Sequence, residues 1–454
     1  MRAFEPLHAG QVGMYVCGPT VQSPPHVGHV RSAVAFDVVR RWLAERGFEV
    51  TFVRNVTDID DKIIVTARAE GTSTWALAER NTRLFHAAYD AVGVLPPTIE
   101  PRATGHVPEI VDMIRLLLDG GHAYVTAGSV WFDVGRFGGY GELSGQRPDA
   151  MQPSAETETG KRDPRDFALW KAAKPAEPTW NTPWGPGRPG WHLECSAMAA
   201  KYLGHPFDIH GAGVDLVFPH NENERAQSIC AFGEQHGEMA RWWLHNGLVT
   251  LNREKMSKST GNVFAADEAL ALVRPQVLRL HLSAAHYRSS LDYSEEGLAE
   301  SSAAYERLET FVRNAADVLG DASADATAGP WDSAWESFAA AMDDDIGVPR
   351  ALAAVYGAVT RGNAVLGRDT AADLAGWLGV VARMLGVLGL DPLTQWPVER
   401  ADGGLATVLD ALVRLREEAR RRRDFATSDA LRDAFSAAGV VIEDTPDGPR
   451  WRLS

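Results

Sequence analysis

The sequence predicts an α/β chain. Its first half is a doubly wound parallel sheet, followed by a helical part and a small α+β module at the C-terminus. Three observations carry that expectation. Met14-Tyr15-Val16-Cys17-Gly18-Pro19-Thr20 reads as a short apolar strand leading through Pro24-Pro25-His26-Val27-Gly28-His29 into a long helix. The helix continues from Val30 to Leu43, with Val30, Val34, Val38 and Trp42 at i,i+4 spacing on one face. Glu49 to Val56 then reads as a second strand, and strand–helix–strand opens a parallel sheet whose ligands bind at the carboxyl ends of its strands.

The opening stretch also suits phosphate. Backbone N–H groups at a helix start are unpaired and the helix dipole favours negative charge. His26 and His29 add donors there, and Gly28 lets a ligand approach the backbone closely.

Taken in order, Asp58, Asp60 and Asp61 follow the second strand. Three carboxylates there suit a magnesium site or, better, the capping and termination of elements. Residues 62 to 92 read as helix, ended by Pro96-Pro97, and residues 107 to 120 as another. Val130-Trp131-Phe132-Asp133-Val134 is a short strand in a Gly-rich insertion. The run from Pro175 to Gly190 reads as a loop leading into Trp191-His192-Leu193-Glu194-Cys195-Ser196. Phe207 to Asp215 is a strand with a glycine-bearing turn, and Pro219 suits the first position of a helix, which puts His220 and Glu224 on one face. Residues 267 to 317 and 331 to 390 read as helices, with linkers at 320 to 330 and 392 to 404. The last fifty residues give two helices and a hairpin turning at Asp447-Gly448.

Composition narrows the class. The 454 residues suffice for two to four domains. Apolar content of 45% and charged content of 23% are ordinary for a soluble globular chain. The N-terminus lacks the apolar core of a secretory signal, and no uninterrupted apolar run approaches a membrane span. Cys17, Cys195 and Cys230 are too few for a disulfide framework, which fits a reducing cytoplasm. Net charge of −15 argues against a nucleic-acid partner overall. Yet Arg414, Arg416 and Arg420-Arg421-Arg422-Arg423 form a basic block, either an RNA contact or a helix face neutralised by Glu417 and Glu418.

Two further groups carry chemistry. Lys255-Met256-Ser257-Lys258-Ser259-Thr260-Gly261-Asn262 is either a solvated surface loop or a mobile one that brings two cations to a phosphate. Cys17, Cys195, His220 and Glu224 form a possible S2NO ligand set for zinc. Spacing alone leaves open two buried cysteines and a helix-surface His/Glu pair.

His26-Val27-Gly28-His29 and Lys255-Met256-Ser257-Lys258-Ser259 together resemble the two signature motifs of class I aminoacyl-tRNA synthetases, with Val27 for the usual isoleucine. Cys17 and Cys195 in their motifs, with the His220/Glu224 pair, resemble the zinc ligands of cysteinyl-tRNA synthetases. Cys230 matches no ligand position and reads as packing. The resemblance extends through Lys161 to Lys171, His286 to Ser294, Phe425 to Asp433 and Glu443 to Pro446. It departs at Ala212, where the family has a third glycine and the turn near the adenosine would tighten, and at Asn221, where it has a second histidine.

The resemblance implies a Rossmann-type catalytic domain over 1–266, with a zinc site and an insertion at roughly 100–190. A helical stem-contact region over 267–319, a helical tRNA-binding domain over 331–390 and an anticodon-binding module over 405–454 follow. It implies a monomeric, cytoplasmic ligase, without membrane or editing domain, that activates L-cysteine with ATP and Mg2+ and charges tRNA(Cys). His26, Gly28 and His29 would meet the ATP phosphates, and Lys258, with Lys255 behind it, would close over the triphosphate. One Zn2+ per chain would select the substrate thiolate. Four protein ligands close a tetrahedral site, so that role needs a fifth position or release of Glu224. Arg420 to Arg423 would contact RNA phosphates, and Trp451 would stack on a base or pack. The rivals are a mycothiol-pathway cysteine:amino-sugar ligase, opposed by Glu224 and the C-terminal module, a catalytically silent RNA-binding paralogue, and a protein with a structural zinc.

Overall fold

The computed structural model describes residues 3–147, 160–233, 235, 237–251, 254–255, 264–320, 329–367, 371–394, 403–445 and 448–453. Strand β1 (Gln11–Val16), helix α1 (Val27–Glu45) and strand β2 (Glu49–Arg54) form the expected opening unit. β1 and β2 pair in parallel from Gln11↔Glu49 to Val16↔Arg54. Val30, Val34, Val38 and Trp42 are all buried, so the predicted stripe of α1 is its core face.

The stretch read as one helix over 62–92 is two, α2 (Asp61–Ala69) and α3 (Thr74–Ala91). Gly71 breaks it at φ 66°, and the Ser73 hydroxyl caps α3 by accepting from Ala76 N. After α4 (Val107–Asp119), an antiparallel sheet runs in order β3 (Ala123–Thr126), β4 (Ser129–Phe132), β5 (Phe167–Ala172), β6 (Gly187–Pro189). β6 lies within the Pro/Gly run read as a loop. Tertiary pairing overrides composition there: the buried Arg188 is held by Glu177 at 3.1 Å and by Asp61.

Helix α5 (Trp191–Leu203), strand β7 (Phe207–Gly213), helix α6 (Glu222–Phe232) and strand β8 (Ala240–Asn246) return the chain to the parallel sheet, whose order is β2-β1-β7-β8. Helices cover both faces. Phe36, Val39 and Leu43 of α1 pack on Met14, Val16 and Phe52, whereas Cys195, Met198 and Ala199 of α5 pack with Tyr15 and Val53. Pro219 does not open α6. It sits in one wide π turn, Val217–Asn221, and α6 begins at Glu222. Ala212 is likewise inside β7, opposite His245, and not in a turn.

A second small sheet has the order β10 (Glu254–Lys255), β9 (Val249–Leu251), β11 (Leu291–Tyr293). β11 interrupts the span read as wholly helical, which otherwise gives α7 (Ala266–Leu272), α8 (Pro275–Ala284) and α9 (Glu295–Leu319). With α10 (Asp332–Asp343), α11 (Val348–Val365) and α12 (Ala371–Leu388), α9 builds a bundle around Leu308, Phe311, Phe338, Val355 and Val381. Among the described residues α12 alone is long and apolar enough on average to cross a membrane, although Asp373 and Arg383 interrupt its apolar run. Its Leu374, Trp377, Val381, Met384 and Leu385 are buried in the bundle core, which accounts for that composition.

The bundle is joined to α1 by a fully buried arginine. Arg279 of α8 donates to Asp37 Oδ2 (2.5 Å), to Leu388 O (2.8 Å) and to the carbonyls of Val92 and Gly93 (both 3.1 Å). Between α10 and α11, Asp345 and Ile346 take φ values of 58° and 55°.

The chain divides into two compact units, 1–394 and 395–454. The second holds α13 (Gly403–Arg421), α14 (Phe425–Ala437) and the hairpin β12 (Val440–Thr445)–β13 (Gly448–Leu453) around Leu409, Val413, Phe435 and Val440. Gly448 pairs with Thr445 and opens β13, and Asp447 lies outside the described residues. Trp451 packs on this core and donates Nε1–H to Asp410 at 2.6 Å, the packing alternative.

Candidate active site and metal centre

The carboxyl ends of the parallel strands deliver the expected ligand set to one place. Cys17 stands one residue past β1, Cys195 in α5, His220 in the π turn and Glu224 in the first turn of α6. Their donor atoms all lie within 4.8 Å of one another, and three of the four residues are buried. Cys17 Sγ is 3.7 Å from Glu224 Oε2, and His220 Nε2 is also 3.7 Å from it. Donors of a tetrahedral zinc site stand about 3.3–3.8 Å apart, and two thiols, an imidazole and a carboxylate match zinc's preferences. The residues present therefore fit a metal ion.

A polar shell orients these four. Asn221 Nδ2 donates to Glu224 Oε2 (2.7 Å), and its Oδ1 is 2.9 Å from His245 Nε2. His210 Nε2 is 3.2 Å from Glu224 Oε2, and the Nδ1 atoms of His192 and His220 are 2.9 Å apart. Burial opposes charge on Glu224, but His220 and His210 outweigh it and hold the carboxyl down to about 2. Burial and His220 push His192 well below the ordinary histidine range. Burial pushes the Cys17 thiol up, and the hydrogen bond between the two sulfurs pulls Cys195 down. Asn55, whose Oδ1 accepts from Cys195 Sγ at 3.7 Å, and His192, His210 and His245 carry no spacing signal in the sequence, and only the fold assembles them here.

Cys17 of the candidate set and the helix start share a cavity of ≈ 360 Å³, lined among others by Gly28, His29, Trp191, Asp215 and Gly247. His26 is the N-cap of α1. Its Nδ1 accepts from Gly28 N (3.2 Å), while His29 Nδ1 accepts from His26 N (3.2 Å) and the rings stack at 3.7 Å. A neutral imidazole that accepts through Nδ1 carries its proton on Nε2, so both rings present donors. Gly18 makes the corner possible, because a Cβ there would sit 1.5 Å from Asn55 O.

Other assignments divide. Asp60 caps α2, Asp58 accepts from Thr104 N and Oγ1, and Asp61 pairs with Lys171 and Arg188, so none of the three joins the metal group. Cys230 is core packing, as expected. Lys255 lies on β10, whereas Lys258 and the rest of its loop from Met256 to Asn262 lie outside the described residues. Arg420 is 3.4 Å from Glu417 and Arg422 3.9 Å from Glu418, ion pairs that the neutralised-face reading anticipated.

A parallel sheet with the His26–His29 motif at its carboxyl edge has the form of the class I aminoacyl-tRNA synthetase catalytic fold. Residues 3–303 match the family profile for the tRNA synthetases class I (C) catalytic domain. The fold is shared with Mycobacterium tuberculosis methionyl-tRNA synthetase in complex with methionyl-adenylate, at TM-score 0.60 and 16% identity over 92% of this chain and 96% of that one. Thermus thermophilus arginyl-tRNA synthetase gives 0.55 and 15% over 86% and 84%. Residues 337–390 match a DALR domain, and 402–452 the cysteinyl-tRNA ligase anticodon binding domain. The cysteine–tRNA ligase of Frankia casuarinae is 54% identical over all of this chain and 98% of its own, and that of Streptomyces griseus 53% over all of it and 97%. The chain belongs to the cysteine–tRNA ligase family.

Proposed function

We propose that this chain activates L-cysteine with ATP to cysteinyl-adenylate and transfers the cysteinyl group to the 3′ end of tRNA(Cys). The observation that carries the reading is the shared cavity, which brings Cys17 of the S2NO group together with His26, Gly28 and His29 at the start of α1. In the first step the cysteine carboxylate attacks the α-phosphorus and pyrophosphate leaves. In the second, a terminal ribose hydroxyl of the RNA attacks the acyl carbon and AMP leaves.

In-line substitution at phosphorus needs positioning and charge neutralisation more than a base. His26 and His29 would donate through Nε2 to phosphate oxygens, next to the amides of the α1 N-terminus. We assign Lys258, with Lys255 behind it, to the triphosphate as charge develops, and Mg2+ arrives with ATP. Cys17, Cys195, His220 and Glu224 would hold one Zn2+. Bound there, it prefers thiolate to a neutral hydroxyl and so distinguishes cysteine from serine, which pocket size alone does poorly. Asn221 and His210 fix the Glu224 carboxylate.

We assign RNA contact to the bundle over 331–390 and anticodon reading to the C-terminal module, with Arg420 to Arg423 on phosphates. The match to an anticodon-binding domain speaks against the amino-sugar ligase. The enzyme would act as a cytoplasmic monomer.

The test is pyrophosphate exchange with cysteine or serine, followed by transfer of labelled cysteine to tRNA(Cys) or to an amino-sugar. Exchange with cysteine alone and label on the RNA, both lost in Cys195→Ala, are expected. Label only on the sugar would overturn the reading, and so would RNA binding without exchange.

A further inference from the structure

Asp345 and Ile346, in the turn between α10 and α11, both occupy the left-handed region, at φ 58° and 55°. That region is unfavourable for any residue with a Cβ and most so for a β-branched one. Such strain persists only where the surroundings over-determine it. Here they do. Ile346 packs against the bundle core and also against the apolar layer between α1 and the parallel sheet. Asp345 takes a bidentate pair from Arg288, Nε to Oδ2 at 2.6 Å and Nη2 to Oδ1 at 2.9 Å. The Tyr287 hydroxyl donates to Oδ1 at 2.9 Å, and His286 Nε2 is 3.8 Å from Oδ2.

The clamped segment reaches the active-site cavity from two sides. Its carbonyls at His286 and Ser289 accept from Arg31 Nη2 at 3.3 and 2.5 Å. Arg31 is 1% exposed and lies on α1, two residues past His29. The Tyr287 carbonyl accepts from Gly247 N at 2.7 Å. Gly247 lines the cavity, and a Cβ on it would come within 2.2 Å of Ser289 O, so the two backbones touch.

We propose that Asp345 is a positioning residue for amino-acid activation: from the helical bundle it clamps residues 286–288, and the backbone from His286 to Ser289 fixes α1 through Arg31 and the cavity wall through Gly247. Asp345 does not itself line the cavity. Its effect passes through main-chain carbonyls, and a misplacement of about 1 Å at a reacting centre lowers turnover by as much as roughly a hundredfold. This inference rests on the proposed activity for its kinetic consequence, but not for the clamp.

Two variants separate positioning from folding. Asp345→Asn keeps a residue type that tolerates positive φ but loses the charged pair. Asp345→Gly removes the backbone strain along with the clamp. Both should keep the wild-type unfolding temperature within a few degrees while kcat for cysteine-dependent pyrophosphate exchange falls at least about tenfold, with the KM for cysteine little changed. Native-state hydrogen exchange at the Gly247 amide should quicken at least about tenfold in both. Wild-type kcat in the two variants, or Gly247 protection equal to wild type, overturns the proposal. A wild-type chain without exchange activity would remove the functional reading alone, and the Gly247 amide would still decide the clamp.

Discussion

Replacing Arg279 with methionine tests the join between bundle and sheet. The guanidinium is fully buried and satisfies four acceptors, a carboxylate and three carbonyls. Methionine fills most of the stem volume, so the loss is electrostatic more than steric. Removing one partner of a buried pair costs about 3–5 kcal/mol. Asp37 keeps Arg41 at 2.7 Å and Leu95 N at 3.0 Å, which places Arg279→Met near the lower end, about 3 kcal/mol. Asp37→Asn should cost a similar amount, because it leaves the arginine charge without its counter-ion. The double variant should cost less than the sum by at least about 1 kcal/mol. Acid sharpens the test. Burial opposes charge on Asp37, but Arg279 and Arg41 prevail and hold its carboxyl below the ordinary range. A depressed folded value gives stability that is complete above the unfolded value of about 3.9 and lost as pH falls through the folded one. The wild type should therefore lose more stability than Asp37→Asn on acidification below about pH 4. Urea unfolding followed by far-UV circular dichroism reads all three variants. An Arg279→Met cost under about 1 kcal/mol, or additive effects in the double variant, would refute the argument.

Asn221→Ala should weaken zinc binding by about 10–100-fold in a chelator competition, because Glu224 loses the donor that orients it. Glu224→Gln should lower zinc content by direct metal analysis and narrow the ratio of cysteine to serine activation. Gly18→Ala drives a Cβ to 1.5 Å from Asn55 O, so soluble yield should collapse, whereas Gly10→Ala, with open space around its Cβ and only a positive φ to strain it, should express. His29→Ala should lower the exchange rate by about 10²–10³-fold and leave zinc content unchanged.

Much of this was legible because it is local. The stripe from Val30 to Trp42 is a period, and a period survives any tertiary context. The strand running into His26 and His29 could be placed for the same reason. What escaped depends on contacts across the chain. Gly187-Arg188-Pro189 has the composition of a loop and becomes a strand because β5 offers an edge and Asp61 and Glu177 hold Arg188. His210 and His245 are isolated residues on separate strands, and only the parallel register of β7 with β8 brings them to Glu224 and Asn221. The average composition of α12 is one that a core helix and a membrane helix share, and Asp373 and Arg383 break its apolar run. The candidate metal group needed the family motifs, because the His220/Glu224 pair is a short-range signal but no spacing ties it to Cys17, up to 207 positions away, or to Cys195.

That scatter has a consequence during synthesis. Cys17 and Glu224 are separated by 207 positions, so neither the sulfur nor the site around it can be completed until the second half of the sheet has left the ribosome. At translation speeds of about 5–20 residues per second, the gap lasts roughly ten to forty seconds. For most of that interval, until Cys195 emerges 178 positions after it, Cys17 is a lone thiol on an unfinished sheet edge, open to oxidants and stray metal ions.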